Sequence, residues 1–300
     1  MNLSWSPKEL LNATVVIGNF DGVHLGHQSL FKDAQKYGDP ILALTFNPHP
    51  MTVFAPEKAP TLLTTFKSKV KYLLAAGANS VATISFDASI ANISPADFES
   101  FLRDQLKVKR IVVGKNFTYG KGAAGNVDSL RAAGFELCLT DLLDKDGTIS
   151  SSRIRKLITE GDVTTARELL GRHFKLEGVV VHGEKRGREI GYPTANLGSI
   201  ENWTIPADGI YAGWLRVDNQ TWPAAISIGT NPTFAGVRGR QVEAYALDEK
   251  DLDLYEKSAE VFFGWRLRET LKFDGLDPLL EQMELDCNQT RNLTSGGLDG

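Results

Sequence analysis

Two histidines three residues apart, His24 and His27, stand in the run Gly18-Asn19-Phe20-Asp21-Gly22-Val23-His24-Leu25-Gly26-His27. On a helix that has already begun, they share one face. Unsatisfied N–H groups and the positive end of the helix dipole would add a preference for phosphate. Gly22 and Gly26 let backbone approach a ligand closely. These ten residues hold no Ser or Cys nucleophile, and they suit the steadying of a nucleotide's phosphates during an in-line attack. An ordinary turn with two incidental histidines, or a metal pair, would have the same spacing. No Glu is placed as in H-E-x-x-H, however. A second constellation lies in the other half of the chain. Gly191-Tyr192-Pro193-Thr194-Ala195-Asn196 reads as a Pro-fixed turn presenting a hydroxyl and an amide, two neutral oxygen ligands for Mg²⁺ and phosphate. In the strand-like run 242–247, Glu243 falls by alternation on the face of Tyr245 and Leu247. A carboxylate on such a face is costly unless paired or used. It is a candidate general base, with an edge carboxylate or a structural ion pair as the other reading.

The elements that must position these residues follow from the pattern. Residues 14–17 are a β-branched run that reads as a buried strand, and residues 28–34 read as the helix after it. The histidine run is therefore a strand-to-helix turn, where an open α/β sheet takes its ligand. Further strand-like runs at 41–46, 80–84, 110–113 and 135–139 alternate with helical stretches at 66–76 and 95–106. The second of these helices has Ser94 as N-cap and Pro95 at its first position. Such alternation predicts a doubly wound parallel sheet. Its strand ends carry unusual turns. Phe46-Asn47-Pro48-His49-Pro50 would hold His49 in a rigid extended turn, or be a plain Pro-rich loop. The Gly-rich run 114–122, containing Asn116, can fold round a ribose or base, although surface loops are commonly Gly-rich. Ser151, Ser152 and Arg155 at a helix start would clamp a polyphosphate, or form an ordinary N-cap and charged first turn.

After a helix at 162–170 that ends on Gly171, the pattern changes, and the boundary is placed near 172: one domain at 1–172, another at 173–300. The second is strand-rich, with runs at 176–182, 209–217, 222–228, 242–247 and 259–263, which predicts a compact antiparallel barrel. A helix from about Pro278, with Leu279, Leu280, Met283 and Leu285 as its apolar stripe, should close it. The loop 183–188 is basic, as a nucleotide flap or a solvated charge run would be.

Composition narrows the classes. Hydrophobic residues make up 42% and charged residues 23%, ordinary for a globular protein. A net charge of −4 argues against a nucleic-acid partner. Cys138 and Cys287 are too isolated for a disulfide framework. There is no leader-like N-terminus and no apolar run of about 18 residues. The expected setting is cytoplasmic, with small-molecule substrates, no nucleic-acid or membrane partner, and self-association compatible. No G-x-x-x-x-G-K-[ST] is present, which excludes a P-loop kinase.

The run 18–27 resembles the G-x-F-D-x-x-H-x-G-H signature of the nucleotidyltransferase superfamily. With the turns at 47–50, 114–122 and 149–155, residues 13 to about 172 are similar to the N-terminal module of bacterial FAD synthetases, which adenylylates FMN. The resemblance implies that His24 and His27 stabilise the transferring phosphate, that Asn116, Ser151, Ser152 and Arg155 hold ATP, and that His49 lies near the phosphates. Gly18, Phe20 and Asp21 belong to the same implied binding set. The chain departs from many members in having Asn47, Asn116 and Thr118 where they have Asp, Asp and Arg. From about 173 to 293, Gly191-Tyr192-Pro193-Thr194-Ala195-Asn196, the runs 209–212 and 229–234, and Val242-Glu243 look like the successive motifs of riboflavin kinase. That likeness implies a Mg²⁺ and ATP-phosphate site at Thr194 and Asn196, with Glu243 accepting the proton of the ribityl hydroxyl. It also implies ATP or flavin contacts at Gly183, Arg188, Gly191, Pro193 and Asn231. The expected activity is bifunctional: riboflavin to FMN, then FMN to FAD and pyrophosphate, with ATP as donor, Mg²⁺ held by substrate, and flavins as substrate and product. An enzyme with one live domain, and a non-catalytic flavin-binding regulator, are the competing readings.

Overall fold

A computed structural model describes residues 1–141, 143–182, 191–200, 202–230, 240–249 and 252–298. Its contacts divide the chain into two compact units, Met1–Ser151 and Ser152–Gly300.

The first unit contains β1 (Leu3–Ser6), β2 (Thr14–Ile17), β3 (Ile41–Asn47), β4 (Ser80–Ser85) and β5 (Arg110–Gly114). A small ribbon of β6 (Thr118–Tyr119) and β7 (Gly125–Asn126) follows, and then β8 (Leu137–Thr140). The large sheet has the order β1-β4-β3-β2-β5-β8. Its strands pair in parallel except β1, an antiparallel edge strand on β4. Helices α1 (Leu25–Gln35), α2 (Met51–Phe54), α3 (Phe66–Ala75), α4 (Ala88–Ala91), α5 (Pro95–Ser100) and α6 (Val127–Ala132) connect the strands. Both sheet faces are covered, which is why the strands read as unbroken apolar runs. Within β2, Val15 and Ile17 face a core that includes Phe98, Leu102 and Leu130, from α5, the turn after it and α6. Val16 faces the opposite core, built with Leu30, Phe31 and Leu73 from α1 and α3. Each such side chain contributes about 1.5–3 kcal/mol on burial. The expected helix at 95–106 is divided: α5 stops at Ser100 and a wider π turn runs from Phe101 to Gln105. The Ser94 cap is present, its hydroxyl accepting from Asp97 N at 3.1 Å.

The connectivity fixes where a ligand can bind. From β2 the chain moves through β3 to β4 on one side, then returns to β5 on the other side and continues to β8. The strand order therefore reverses between β2 and β5, and the loops leaving these two strands flank the crevice.

The second unit opens with α7 (Ser151–Glu160) and α8 (Val163–Leu170), followed by β9 (Phe174–Val181), β10 (Ala195–Gly198), β11 (Gly209–Val217), β12 (Gln220–Thr230), β13 (Arg240–Ala246), β14 (Ser258–Arg268) and α9 (Leu276–Thr294). The division by contacts falls just after Ser151, the first residue of α7, and α8 packs on β9 and β14. The strands close a barrel in the order β10-β13-β12-β11-β14-β9, with every pair antiparallel. Closure leaves no exposed strand edge. Gly213 on β11 is required by close approach, since a Cβ there would lie 1.9 Å from the Phe262 carbonyl. Helix α9 packs outside the barrel on β11, β12 and β14.

Candidate active sites

In the first unit the chain leaves β2 through a turn with positive φ at Phe20 (53°), Gly22 (82°) and Val23 (39°). Such conformations cost about 1–3 kcal/mol each for residues with a Cβ. Phe20 and Val23 hold them by being buried to 0% and 1% exposure. Gly18 makes room for this fold, because a Cβ there would meet the Phe20 ring at 2.8 Å. The buried Asp21 carboxylate accepts from Leu63 N at 3.1 and 3.2 Å and from Thr64 Oγ1 at 3.4 Å. It thereby ties the motif loop to the segment that precedes α3.

Helix α1 begins three residues earlier than the apolar pattern indicates, so the histidines sit on its first turn. His24 is the N-cap: its Nδ1 accepts from His27 N at 3.2 Å. In the neutral ring that places the proton on Nε2. The two imidazoles stack, with centroids 3.6 Å apart and planes at 17°, and Phe20 meets His27 edge-on at 5.3 Å. The site thus combines a helix N-terminus with two fixed imidazoles.

The loop after β3 differs from the extended turn expected. Pro50 has helical angles (φ −51°, ψ −38°) and α2 follows directly. His49 Nδ1 accepts from Met51 N at 3.2 Å, and its carbonyl accepts from Thr52 Oγ1 at 2.7 Å. After β5, Asn116 is exposed. Tyr119 anchors this loop by donating to Glu99 at 2.5 Å and meeting Ser129 at 2.9 Å. Burial, then the Glu99 contact, push the Tyr119 phenol up to about 12. Ser151 Oγ donates to the Asp21 carbonyl at 2.8 Å, which brings it to the motif loop. Ser152, exposed, and Arg155, half-buried, lie on α7 and are counted with the second unit.

One residue at these strand ends was not singled out from the sequence. Lys69 on α3 donates through Nζ to the carbonyls of Asn19 (3.2 Å) and Phe46 (3.0 Å). Its spacing carried a sign of this: it lies four residues before the buried Leu73, on the packed face of α3.

In the second unit, Thr194 Oγ1 donates to Glu243 Oε2 at 3.1 Å. The Pro-fixed turn expected over 191–196 stops before Ala195, and residues 195–198 are a strand. They form β10, which sets Asn196 opposite Glu243, while Ser227 of β12 lies opposite it on the other side. Glu243 and Tyr245 alternate with the buried Val242, Ala244 and Ala246, so they occupy the half-buried outer face of β13. Leu247 falls beyond the strand end. Glu243 and Thr194 border a cavity of about 300 Å³, whose walls include Tyr192, Tyr245, Phe273, Leu279 and Met283. The Tyr192 and Tyr245 rings meet at 5.2 Å and 67°. Burial raises both phenols above their ordinary range and pushes the Cys287 thiol, also on the wall, up to about 11. All three stay neutral near pH 7. Arg268 grips Asp286 of α9 through Nε (3.0 and 3.1 Å) and Nη2 (2.6 Å), fixing the helix over the cavity. Gly191 is exposed and Pro193 half-buried ahead of β10. Gly183, Arg188 and Asn231 lie outside the described residues. Hydroxyl, amide and carboxylate oxygens are hard donors of the kind Mg²⁺ takes. Among the described residues no group of three His, Cys, Asp or Glu could hold a metal by itself.

A helix N-terminus beside two stacked imidazoles, and hard oxygen donors beside a cavity, are what phosphoryl- and nucleotidyl-transferring enzymes use. A family model described as FAD synthetase matches residues 6–153, and one described as riboflavin kinase matches residues 170–294. The chain belongs to the bifunctional riboflavin kinase/FMN adenylyltransferase family. The relative of that name from Escherichia coli K12 is 36% identical over 95% of this chain and 93% of its own. Those from Listeria monocytogenes and Bacillus subtilis are 36% and 33% identical over 94% and 93% of this chain, and 92% of theirs. Among solved structures, a macrolide-efflux protein from Streptococcus pneumoniae superposes with a TM-score of 0.84 at 32% identity, covering 96% of this chain and 95% of that one. No helix among the described residues is long and apolar enough to cross a membrane.

Proposed function

We propose that the two activities of this enzyme are divided between the units at the residues described above. The chain phosphorylates riboflavin to FMN and adenylylates FMN to FAD, with ATP as the donor in both steps. In the barrel, the flavin ring lies in the cavity against Tyr192, Tyr245 and Met283, and its ribityl chain runs toward Glu243. Glu243 takes the proton of the terminal hydroxyl as that oxygen bonds to the γ-phosphorus, and ADP leaves. Thr194, already bonded to Glu243, orients the carboxylate and, with Asn196, turns oxygen toward a Mg²⁺ ion carried by ATP. When bound, that ion neutralises charge developing on the phosphates. In the adenylyltransferase domain, which we extend to about residue 172, an FMN phosphate oxygen attacks the α-phosphorus of ATP and pyrophosphate leaves. His24 and His27 donate to the equatorial oxygens at the α1 N-terminus, His49 lies near the phosphates, and Asn116, Ser151, Ser152 and Arg155 hold the nucleotide. We place the functional boundary near 172 and the enzyme in the cytoplasm.

The observation that carries this reading is the Thr194–Glu243 hydrogen bond on the wall of a cavity that Tyr192, Tyr245 and Phe273 also line, in a chain whose other unit stacks two imidazoles on a helix N-terminus. The test is a chromatographic time course with pure protein, riboflavin, ATP and Mg²⁺. FMN is expected first and FAD after it. FMN without FAD, even when FMN is supplied directly, would remove the first unit from this assignment.

A further inference from the structure

The roles assigned above leave Lys69 unused, yet its setting is unusual for a lysine. It stands one turn before the buried Leu73 of α3. A long basic side chain in such a place ordinarily carries its ammonium out to water or meets a carboxylate. Lys69 does neither. Its ammonium lies across two neighbouring strand ends, donating to Asn19 O in the loop after β2 and to Phe46 O near the end of β3. Thr45 Oγ1 donates to the same Asn19 carbonyl at 3.2 Å. Among the described residues no carboxylate stands within ion-pair distance of Lys69. Asp21, on the loop after β2, is the titratable group whose field reaches it. That carboxylate is committed to Leu63 N and Thr64. The end of β3 offers only a neutral carbonyl.

A charge withdrawn from water without a matching charge is costly. Burial accordingly lowers the Lys69 ammonium to about 8, with Asp21 offsetting part of the effect. An ammonium has three N–H donors, and the two carbonyls account for two of them. A charge and a donor therefore remain at the C-terminal ends of β2 and β3, on the same carboxyl edge of the sheet as the β2–β5 crevice and one strand to its side.

We infer that Lys69 is an anion-binding residue of the adenylyl-transfer site, matching its charge with a phosphate group of a bound substrate. This rests on the first unit being the adenylyltransferase. A phosphate would supply the opposite charge that the two carbonyls lack, and it would hold the lysine protonated while bound. The phosphate could come from the ATP chain or from FMN, and kinetics separates the two.

The experiment uses the full chain as wild type, Lys69→Met and Lys69→Arg. FAD formation from FMN and ATP is followed between about pH 6.5 and 9.5, riboflavin phosphorylation by the same preparations reports the barrel, and thermal unfolding reports the first unit. Binding of inorganic pyrophosphate with Mg²⁺ is measured by calorimetry. Lys69→Met is expected to lose on the order of 10²-fold in kcat/KM for adenylylation, to bind pyrophosphate more weakly, and to phosphorylate riboflavin normally. A raised KM for ATP assigns the nucleotide phosphates, and a raised KM for FMN assigns the flavin phosphate. In the free enzyme the lysine is charged below about pH 8 and neutral above it. Wild-type kcat/KM should therefore fall on the alkaline side. Lys69→Arg, charged throughout, should regain activity and lose that limb. Native kcat/KM and pH profile in Lys69→Met overturn the inference. So does a loss that tracks a lower Tm and is not restored by Arg. Wild-type protein that makes no FAD from FMN overturns the adenylyltransferase reading itself. In that case unaltered pyrophosphate binding by Lys69→Met overturns the inference on its own terms.

Discussion

At the scale of single residues, Glu243 separates positioning from proton transfer. Its carboxylate receives the Thr194 hydroxyl at 3.1 Å and sits between Asn196 and Ser227 across two strand pairings. Glu243→Gln keeps an oxygen for Thr194 and nearly the same shape, but it cannot take a proton. Riboflavin phosphorylation should then drop in kcat by about 10²–10⁴-fold. KM for riboflavin should change little, because the cavity walls are untouched. Adenylylation of FMN by the same protein should be native. Steady-state assays of the two half-reactions check this, and a Gln variant with native kcat would remove Glu243 as the base. The residues legible from sequence were those whose meaning is local. His24 and His27 lie three apart on one helix turn, and Thr194 precedes a proline-fixed strand start. The spacing of Lys69 places it on the packed face of α3, but its partners were not legible, because they are carbonyls 50 and 23 residues away.

At the scale of elements, the more buried of the two ion pairs that tether α9 among the described residues joins Arg268 to Asp286. The Arg268 and Asp286 side chains are only 17% and 7% exposed, and Gln282 adds a bond to Asp286 Oδ1 at 3.0 Å. Removing one partner leaves the other charge uncompensated, at a cost of about 3–5 kcal/mol. Asp286→Ala should therefore lower the Tm and raise KM for riboflavin, since Leu279 and Met283 of the same helix line the cavity. Arg268→Met combined with Asp286→Leu should recover much of the stability. Thermal unfolding decides it, and an Asp286→Ala protein as stable as wild type would show that packing and the Arg291–Asp248 pair suffice to hold the helix. Elements buried on both faces were readable because burial writes an unbroken apolar run, as in β2 and β3. The exceptions were short strands whose existence depends on distant partners. Leu3–Ser6 becomes β1 by pairing with β4, and Ala195–Gly198 becomes β10 by lying between β9 and β13. Each alternates in the strand manner, Leu3-Ser4-Trp5-Ser6 and Ala195-Asn196-Leu197-Gly198, but over only four residues, too short a run to mark a strand by itself. The π turn after α5 was hidden for a related reason, since it preserves the apolar spacing of a helix while widening it.

At the scale of the whole molecule, each unit contains its own decisive pair: His24 with His27 in one, and Thr194 with Glu243 in the other. The barrel's product is the first unit's substrate, so the chain couples two reactions through a molecule that can pass through solvent. If the units act separately, two crippled proteins should complement each other. Glu243→Gln alone, given riboflavin and ATP, should make little FMN and no FAD. His27→Ala alone should accumulate FMN, with adenylylation down on the order of 10²–10³-fold through loss of one donor to the transferring phosphate. Mixed in equal amounts, the two should produce FAD after a lag, because FMN released by one protein must reach the other. The lag should shorten as total protein rises, which chromatography at several concentrations would show. A mixture that accumulates FMN but never FAD would mean that the first unit works only beside a functional barrel in the same chain, and the division of labour by unit would have to be given up.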